Sequence, residues 1–167
     1  MKQFIYILLF ISPLISTGQN CKYEKNEVDL NTQLRIKRTE PVTICRVNNQ
    51  PFLVKAQSIG KNKYLKFRYF RYNNFRILPG SEMVFTLSDN TSVSLTSIIT
   101  PADTAQNNNS FTTISSLLIF KLSDTDFEKL MSTNVIRLKY FKENGYVNKI
   151  IKEKNQETIR QILKCIK

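Results

Sequence analysis

Alternation between greasy and charged side chains runs through KYLKFRYF, Lys63 to Phe70. It constrains this chain more than any other feature. At a period of two, Leu65, Phe67 and Tyr69 share one face, and Tyr64, Lys66, Arg68 and Phe70 share the other. Same-face neighbours on a strand stand about 7 Å apart. The first face can pack on a core while the second carries cations to water. The wider stretch, KNKYLKFRYFRYNNFR, holds six basic residues, six aromatics and no acid. Such interleaving also suits a face that stacks bases and neutralises phosphates. The dyad period favours the half-buried strand.

Similar short runs recur along the chain. QLRIKR (33–38) alternates, with Leu34 and Ile36 on one side, and Glu40-Pro41 breaks it. VTICRV (42–47) resumes as a strand, and Asn48-Asn49-Gln50-Pro51 is turn chemistry. FLVKAQSI (52–59) places Phe52, Val54 and Ala56 together before Gly60 ends it. EMVFTL (82–87) and TSVSLTSI (91–98), joined by Ser88-Asp89-Asn90, form the clearest hairpin. FTTISSLLIFKL (111–122) reads as a central strand. VIRLKYF (135–141) and YVNKII (146–151) flank a tight turn at Glu143-Asn144-Gly145. Polar composition predicts no element over 19–32, a turn over 72–75 and a loop over 100–110.

Two helices interrupt the strands. Ser123 with Asp126 resembles a capping box, and Leu122 with Phe127 a hydrophobic staple, which predicts a short helix over 124–131. Ile159, Ile162, Leu163 and Ile166 follow i, i+3, i+4, i+7, one apolar stripe of a C-terminal amphipathic helix. The predicted fold is mainly β within the α+β class. It is an antiparallel sheet or β-sandwich with one short helix and a C-terminal helix on one side or end.

The first residues, MKQFIYILLFISPLISTGQNC, carry Lys2, an apolar run from Phe4 to Ile11, and small residues Ser16 and Gly18. This pattern predicts a signal peptide over 1–18, cleaved near Gly18-Gln19, with one domain over 19–167. The alternatives are an uncleaved anchor and a lipoprotein, but Asn20 before Cys21 departs from a lipobox. Export places the chain in the periplasm or outside the cell.

The chain has 25 Lys and Arg against 13 Asp and Glu, a net charge of +12. The predicted leader contributes only Lys2 to that count. Such a charge draws a protein to anionic surfaces. An acidic glycan or a lipid headgroup is the expected partner class, or another envelope protein if the charge is incidental. Nucleic acid is disfavoured, because export removes the chain from it and the basic strand lacks the glycines of an RNP-type motif.

Cys21, Cys45 and Cys165 allow three single pairings and leave one thiol over. A Cys21–Cys165 bridge would tie two ends that otherwise fray. Cys45 lies in an apolar strand-like run, where an inert buried thiol is the usual state. Pairing of Cys45 with Cys165, and three free thiols, remain alternatives. Catalysis lacks its usual parts. There is no histidine, no Gly-x-Ser-x-Gly and no Cys-x-x-Cys, and only four glycines are available for a phosphate loop. Glu27 with Asp29, and Asp124 with Asp126, are the nearest paired carboxylates. The sequence implies no metal and no cofactor. It points to a binding protein whose candidate site is Lys63, Tyr64, Lys66, Arg68, Phe70 and Arg71. The alternative is a structural or interaction protein of the envelope.

Both ends carry a resemblance. Cys21, Tyr23, Asn26, Glu27 and Asp29 at the start, and Ile136 to Tyr140, Gly145-Tyr146 and Lys164-Cys165 at the close, are similar to a group of small exported bacterial proteins with no assigned activity. Asn31-Thr32 stands where that group often has a phenylalanine and Thr-Gly. The resemblance implies no catalytic residue and favours the Cys21–Cys165 pairing.

Overall fold

The computed structural model describes residues 20–71, 80–98, 103–108, 111–142 and 145–167. The predicted leader over 1–18 and the predicted turn over 72–75 lie outside them. Two antiparallel sheets carry the fold. The larger holds β1 (Tyr23–Val28), β2 (Arg35–Thr39), β3 (Val42–Val47), β4 (Gln50–Ile59) and β5 (Asn62–Arg71), with β8 (Asp103–Asn108) and β9 (Phe111–Leu122). The smaller holds β6 (Glu82–Leu87), β7 (Ser92–Thr96), β10 (Val135–Lys142) and β11 (Gly145–Ile150).

Strand order in the larger sheet is β1-β2-β4-β5-β9-β8, with β3 also on β4. β2 pairs with the second half of β4, Arg38 opposite Gln57, and β3 with the first half, Val42 opposite Val54. The two therefore act as one long strand interrupted at Glu40-Pro41. Proline offers no N–H to a ladder. At the interruption the buried Thr39 hydroxyl accepts the Ala56 N–H at 3.0 Å, so that donor is satisfied. A bulge between Thr43 and Cys45 turns both Ile44 and Cys45 inward.

The smaller sheet runs β11-β10-β6-β7. Its β6–β7 hairpin sets Phe85 opposite Val93 and Met83 opposite Leu95, as the alternation predicts. The sheets meet where β7 runs out onto β9. Ser97 bridges Phe120, and the Ile98 N–H donates to the Ile119 carbonyl at 2.9 Å.

Aromatic rings from both sheets fill the interior, in a sandwich-like packing. Phe52 of β4 stacks on Tyr140 of β10 with centroids 5.6 Å apart, and Phe67 of β5 lies 5.9 Å from Phe85 of β6. Phe120 of β9 meets Phe67 edge-on at 5.8 Å. Each such ring pair adds about 0.5–1.5 kcal/mol beyond the area it buries. Burial pushes the Tyr140 phenol far above its ordinary range, with Tyr69 beside it adding to the effect.

Helix α1 (Asp124–Ser132) begins as its cap predicts. The Ser123 hydroxyl accepts the Asp126 N–H at 3.1 Å, and Leu122 and Phe127 are both buried. Its charged partner is Lys63, 3.4 Å from the Asp124 carboxylate. A 3-10 turn (Glu153–Asn155) precedes α2 (Thr158–Lys164), and the Asn155 amide donates to the Ile44 carbonyl at 3.1 Å. Ile159, Ile162, Leu163 and Ile166 are buried against β3, β4 and α1. A disulfide joins Cys21 to Cys165, with Cα atoms 5.7 Å apart, and the Tyr23 hydroxyl donates to the Cys165 carbonyl at 2.7 Å. β1 is thereby fastened to the end of α2.

Three expectations need correction. The polar run 19–32 contains β1, an edge strand whose side chains are half-buried or exposed and so carry no greasy alternation. Within the predicted loop 100–110, residues 103–108 form β8 and pair with β9 from Asp103 opposite Ser116 to Asn108 opposite Phe111. Leu34 does not join Ile36 in a strand. It sits in the β1–β2 turn and is exposed.

Candidate functional site

The outward face of the larger sheet carries its cations in register. β5 contributes Tyr64, Lys66, Arg68 and Phe70. β4 sets Gln57 opposite Tyr64, Lys55 opposite Lys66 and Leu53 opposite Arg68. On the other side β9 sets Ile119 opposite Lys66 and Leu117 opposite Arg68. β2 adds Arg38 beside Gln57, whose buried amide oxygen accepts the Arg38 Nε–H at 3.0 Å.

Lys55 and Lys66 thus form a directly opposed like-charge pair, an arrangement that destabilises a ladder. Glu24 of β1 is the acid that reaches this group, 2.7 Å from the Lys55 ammonium. Lys66 responds as expected. Burial holds its pKa below the usual lysine range, Arg38 and Lys55 push the same way, and Glu24 opposes them. Apolar groups lie between the charges. Pro41, Leu53 and Leu117 line a shallow depression of about 80 Å³ with Lys55, Lys66 and Arg68. Ile119 is buried on this outer side, outside the main core. Pockets for small molecules run to about 300–1,000 Å³. The depression is well below that size.

Not all the sequence candidates meet here. Tyr64, Lys66, Arg68 and Phe70 share the outward face. Lys63 has the opposite parity and points with Leu65. Its ammonium lies 4.1 Å from the centre of the Phe127 ring and beside Asp124, so it belongs with α1 and not with the cation row. Arg71 closes β5 opposite Ile114, and its side chain lies outside the described part. Lys55, Arg38 and Glu24 were not among the candidates. The alternation in FLVKAQSI already puts Lys55 away from Phe52 and Val54. No local signal reports that β4 lies beside β5 in a register that meets Lys66.

The carboxylate pairs have local partners. Glu27 lies 2.8 Å from the Lys25 ammonium. Asp29 accepts from the Thr32 N–H and hydroxyl at 2.8 and 2.9 Å, and these bonds hold its pKa below the usual carboxylate range. Asp126 accepts the Ser123 hydroxyl at 2.6 Å. Among the described residues, no three His, Cys, Asp or Glu side chains gather as metal ligands. No described helix is long and apolar enough to cross a membrane. Cys45 is a free thiol whose pKa burial pushes up to about 11. Comparison with protein-family models, curated proteins and solved structures finds no match.

Proposed function

We propose that this is an exported, non-catalytic binding protein of the bacterial envelope, and that the outward face of its larger sheet takes an anionic partner. One observation carries the reading. Lys55 and Lys66 face each other across a ladder, with Arg38 and Arg68 alongside and Glu24 as the local acid. An anion laid along the strands would neutralise this repulsion without removing any cation from its place. The row follows a sheet surface, and Tyr64 and Phe70 offer flat apolar edges beside it. That shape suits an extended acidic glycan better than a compact ligand.

The test is retention on immobilised heparin. Lys66→Glu combined with Arg68→Glu should elute the chain at much lower salt while its thermal midpoint stays within a few degrees of the parent. Retention that does not change with these two charges would remove this face as the site. It would favour an envelope structural protein whose charge is incidental. Pull-down on anionic vesicles by the same double variant would tell a headgroup layer from a glycan.

A further inference from the structure

A second surface lies at the end of the molecule where the β1–β2 and β4–β5 turns meet, and it combines features the sheet face lacks. The β1–β2 turn displays large apolar groups. Leu30 is 86% exposed, Val28 48% and Leu34 43%. Among described residues, large apolar side chains this exposed also occur elsewhere, at Ile98, Tyr146 and Ile150, but here three share one turn. The turn is well ordered by its own bonds. The Asp29 N–H donates to the Leu34 carbonyl at 2.9 Å, the Gln33 N–H to the Asp29 carbonyl at 2.8 Å, and the Gln33 amide to the Leu30 carbonyl at 2.8 Å. Gln33 has φ of 56°, the left-handed region, which the turn imposes on it. Leu30 is therefore held out into solvent by a built structure. A single exposed leucine is ordinary, but a rigid tip of three is not.

Cations stand directly behind the tip. Leu34 lies against Gly60, whose N–H donates to the Arg35 carbonyl at 3.0 Å. Beyond Gly60 opens a cavity of about 470 Å³ lined by Arg35, Lys37, Lys61 and Lys63. Of the nearby acids, Glu27 is paired with Lys25, and Asp124, which also lines the hollow, with Lys63, while Asp29 is held by neutral donors of its own turn and keeps its charge, so the cations still outnumber the acids. Arg35 donates to the neutral Asn26 amide oxygen, which leaves its charge uncompensated, Lys37 donates to a main-chain oxygen of Lys167, and Lys61 stands exposed at the same hollow. Apolar side chains projecting ahead of a basic hollow match the layering of a bilayer surface, in which acyl chains lie beneath anionic headgroups. A soluble acidic glycan offers nothing for Leu30.

We propose that the β1–β2 turn docks this protein on an anionic lipid bilayer, Leu30 entering the interface with Val28 and Leu34 beside it, while Arg35, Lys37 and Lys61 hold headgroup phosphates in the hollow behind. This goes beyond the glycan reading, uses a different surface and does not depend on it.

The chain contains no tryptophan, so Leu30→Trp gives a single-site reporter. With phosphatidylcholine vesicles containing about one third phosphatidylglycerol, L30W emission should shift to the blue, and brominated acyl chains should quench it. Pure phosphatidylcholine should give neither effect. Tyr146→Trp, on β11 in the smaller sheet, should stay unshifted in both. Leu30→Ser should weaken sedimentation with the anionic vesicles by roughly tenfold with no loss of thermal stability, since the side chain packs on nothing. Lys37→Glu with Lys61→Glu should abolish it. Vesicle binding with the L30W emission unmoved would overturn the proposal and shift the contact to the sheet face, as would binding lost through Lys66→Glu and Arg68→Glu alone. Absence of binding to anionic vesicles, or equal binding to neutral ones, would also overturn it. Heparin retention could survive any of these results.

Discussion

Two lysines on β5, three residues apart, live in opposite worlds. Lys63 turns inward near α1, where Asp124 and the Phe127 ring both compensate its charge. Lys66 turns outward into a row of like charges, where burial first and then Arg38 and Lys55 hold its pKa down. The same division runs along the strand. Leu65, Phe67 and Tyr69 are buried in the core, while on the far side Arg68 is exposed and Tyr64 and Phe70 are half-buried. Residue type alone does not decide what a cation does here. Parity decides which neighbours it meets, and the neighbours decide whether its charge is spent or left available.

The sharpest way to break this comparison is to treat the two faces alike. Phe67→Ala should destabilise the fold by about 3–5 kcal/mol, because Phe52, Phe85 and Phe120 all lose a ring partner. Lys66→Ala on the other face should stay within about 0.5 kcal/mol. Urea unfolding of both variants measures the contrast. Next comes the tether of β1, the strand that brings Glu24 to Lys55. Cys21→Ser with Cys165→Ser should cost about 2–5 kcal/mol in the same assay. It should also strengthen heparin retention, since the cation row loses its acid as β1 loosens.

A smaller effect separates the lysines themselves. Lys63→Met should destabilise by up to about 1 kcal/mol, through loss of the Asp124 pair and the ring contact. Lys66→Met should be neutral or slightly stabilising, since it removes the repulsion with Lys55. The smallest effect is in pH. Burial raises the Cys45 thiol from 9.0 to about 11, so the native state keeps a proton that the unfolded chain releases. Its contribution therefore makes stability fall as pH rises from 9 to 11. Lys66 is shifted downward, so the unfolded chain holds the extra proton and its contribution makes stability rise as pH approaches 10.5. Cys45→Ala should lessen the fall and Lys66→Met remove the rise, with the buried Tyr140 phenol adding a fall of its own above pH 10, as read by thermal midpoints across that range.

Central strands were legible because burial on one face writes a period of two into the sequence. β5, the β6–β7 hairpin and β10 follow from it, and α1 from its cap. β1 and β8 were not legible. YEKNEV and DTAQNN lie at the two edges of the larger sheet and neither alternates apolar with polar residues, so neither writes a strand period into the sequence. The candidate site was half legible for the same reason. Parity selects Tyr64, Lys66, Arg68 and Phe70, and the same parity would have excluded Lys63 had charge not drawn it in. Arg38, Lys55 and Glu24 depend on which strands lie side by side, information that no single stretch contains. The termini could be matched only through a disulfide spanning 144 residues of separation.

The central claim is that the outward row is an anion-binding surface, and lysine acylation in the presence of heparin oligosaccharides tests it most directly. A polyanion laid along the row would cover the Lys55 and Lys66 amines and shield them from the reagent. Mass spectrometry should find Lys55 and Lys66 the most strongly protected, well ahead of Lys63 and the lysines of the β1–β2 end. Uniform protection across the chain, or protection that spares Lys55 and Lys66, would contradict the account.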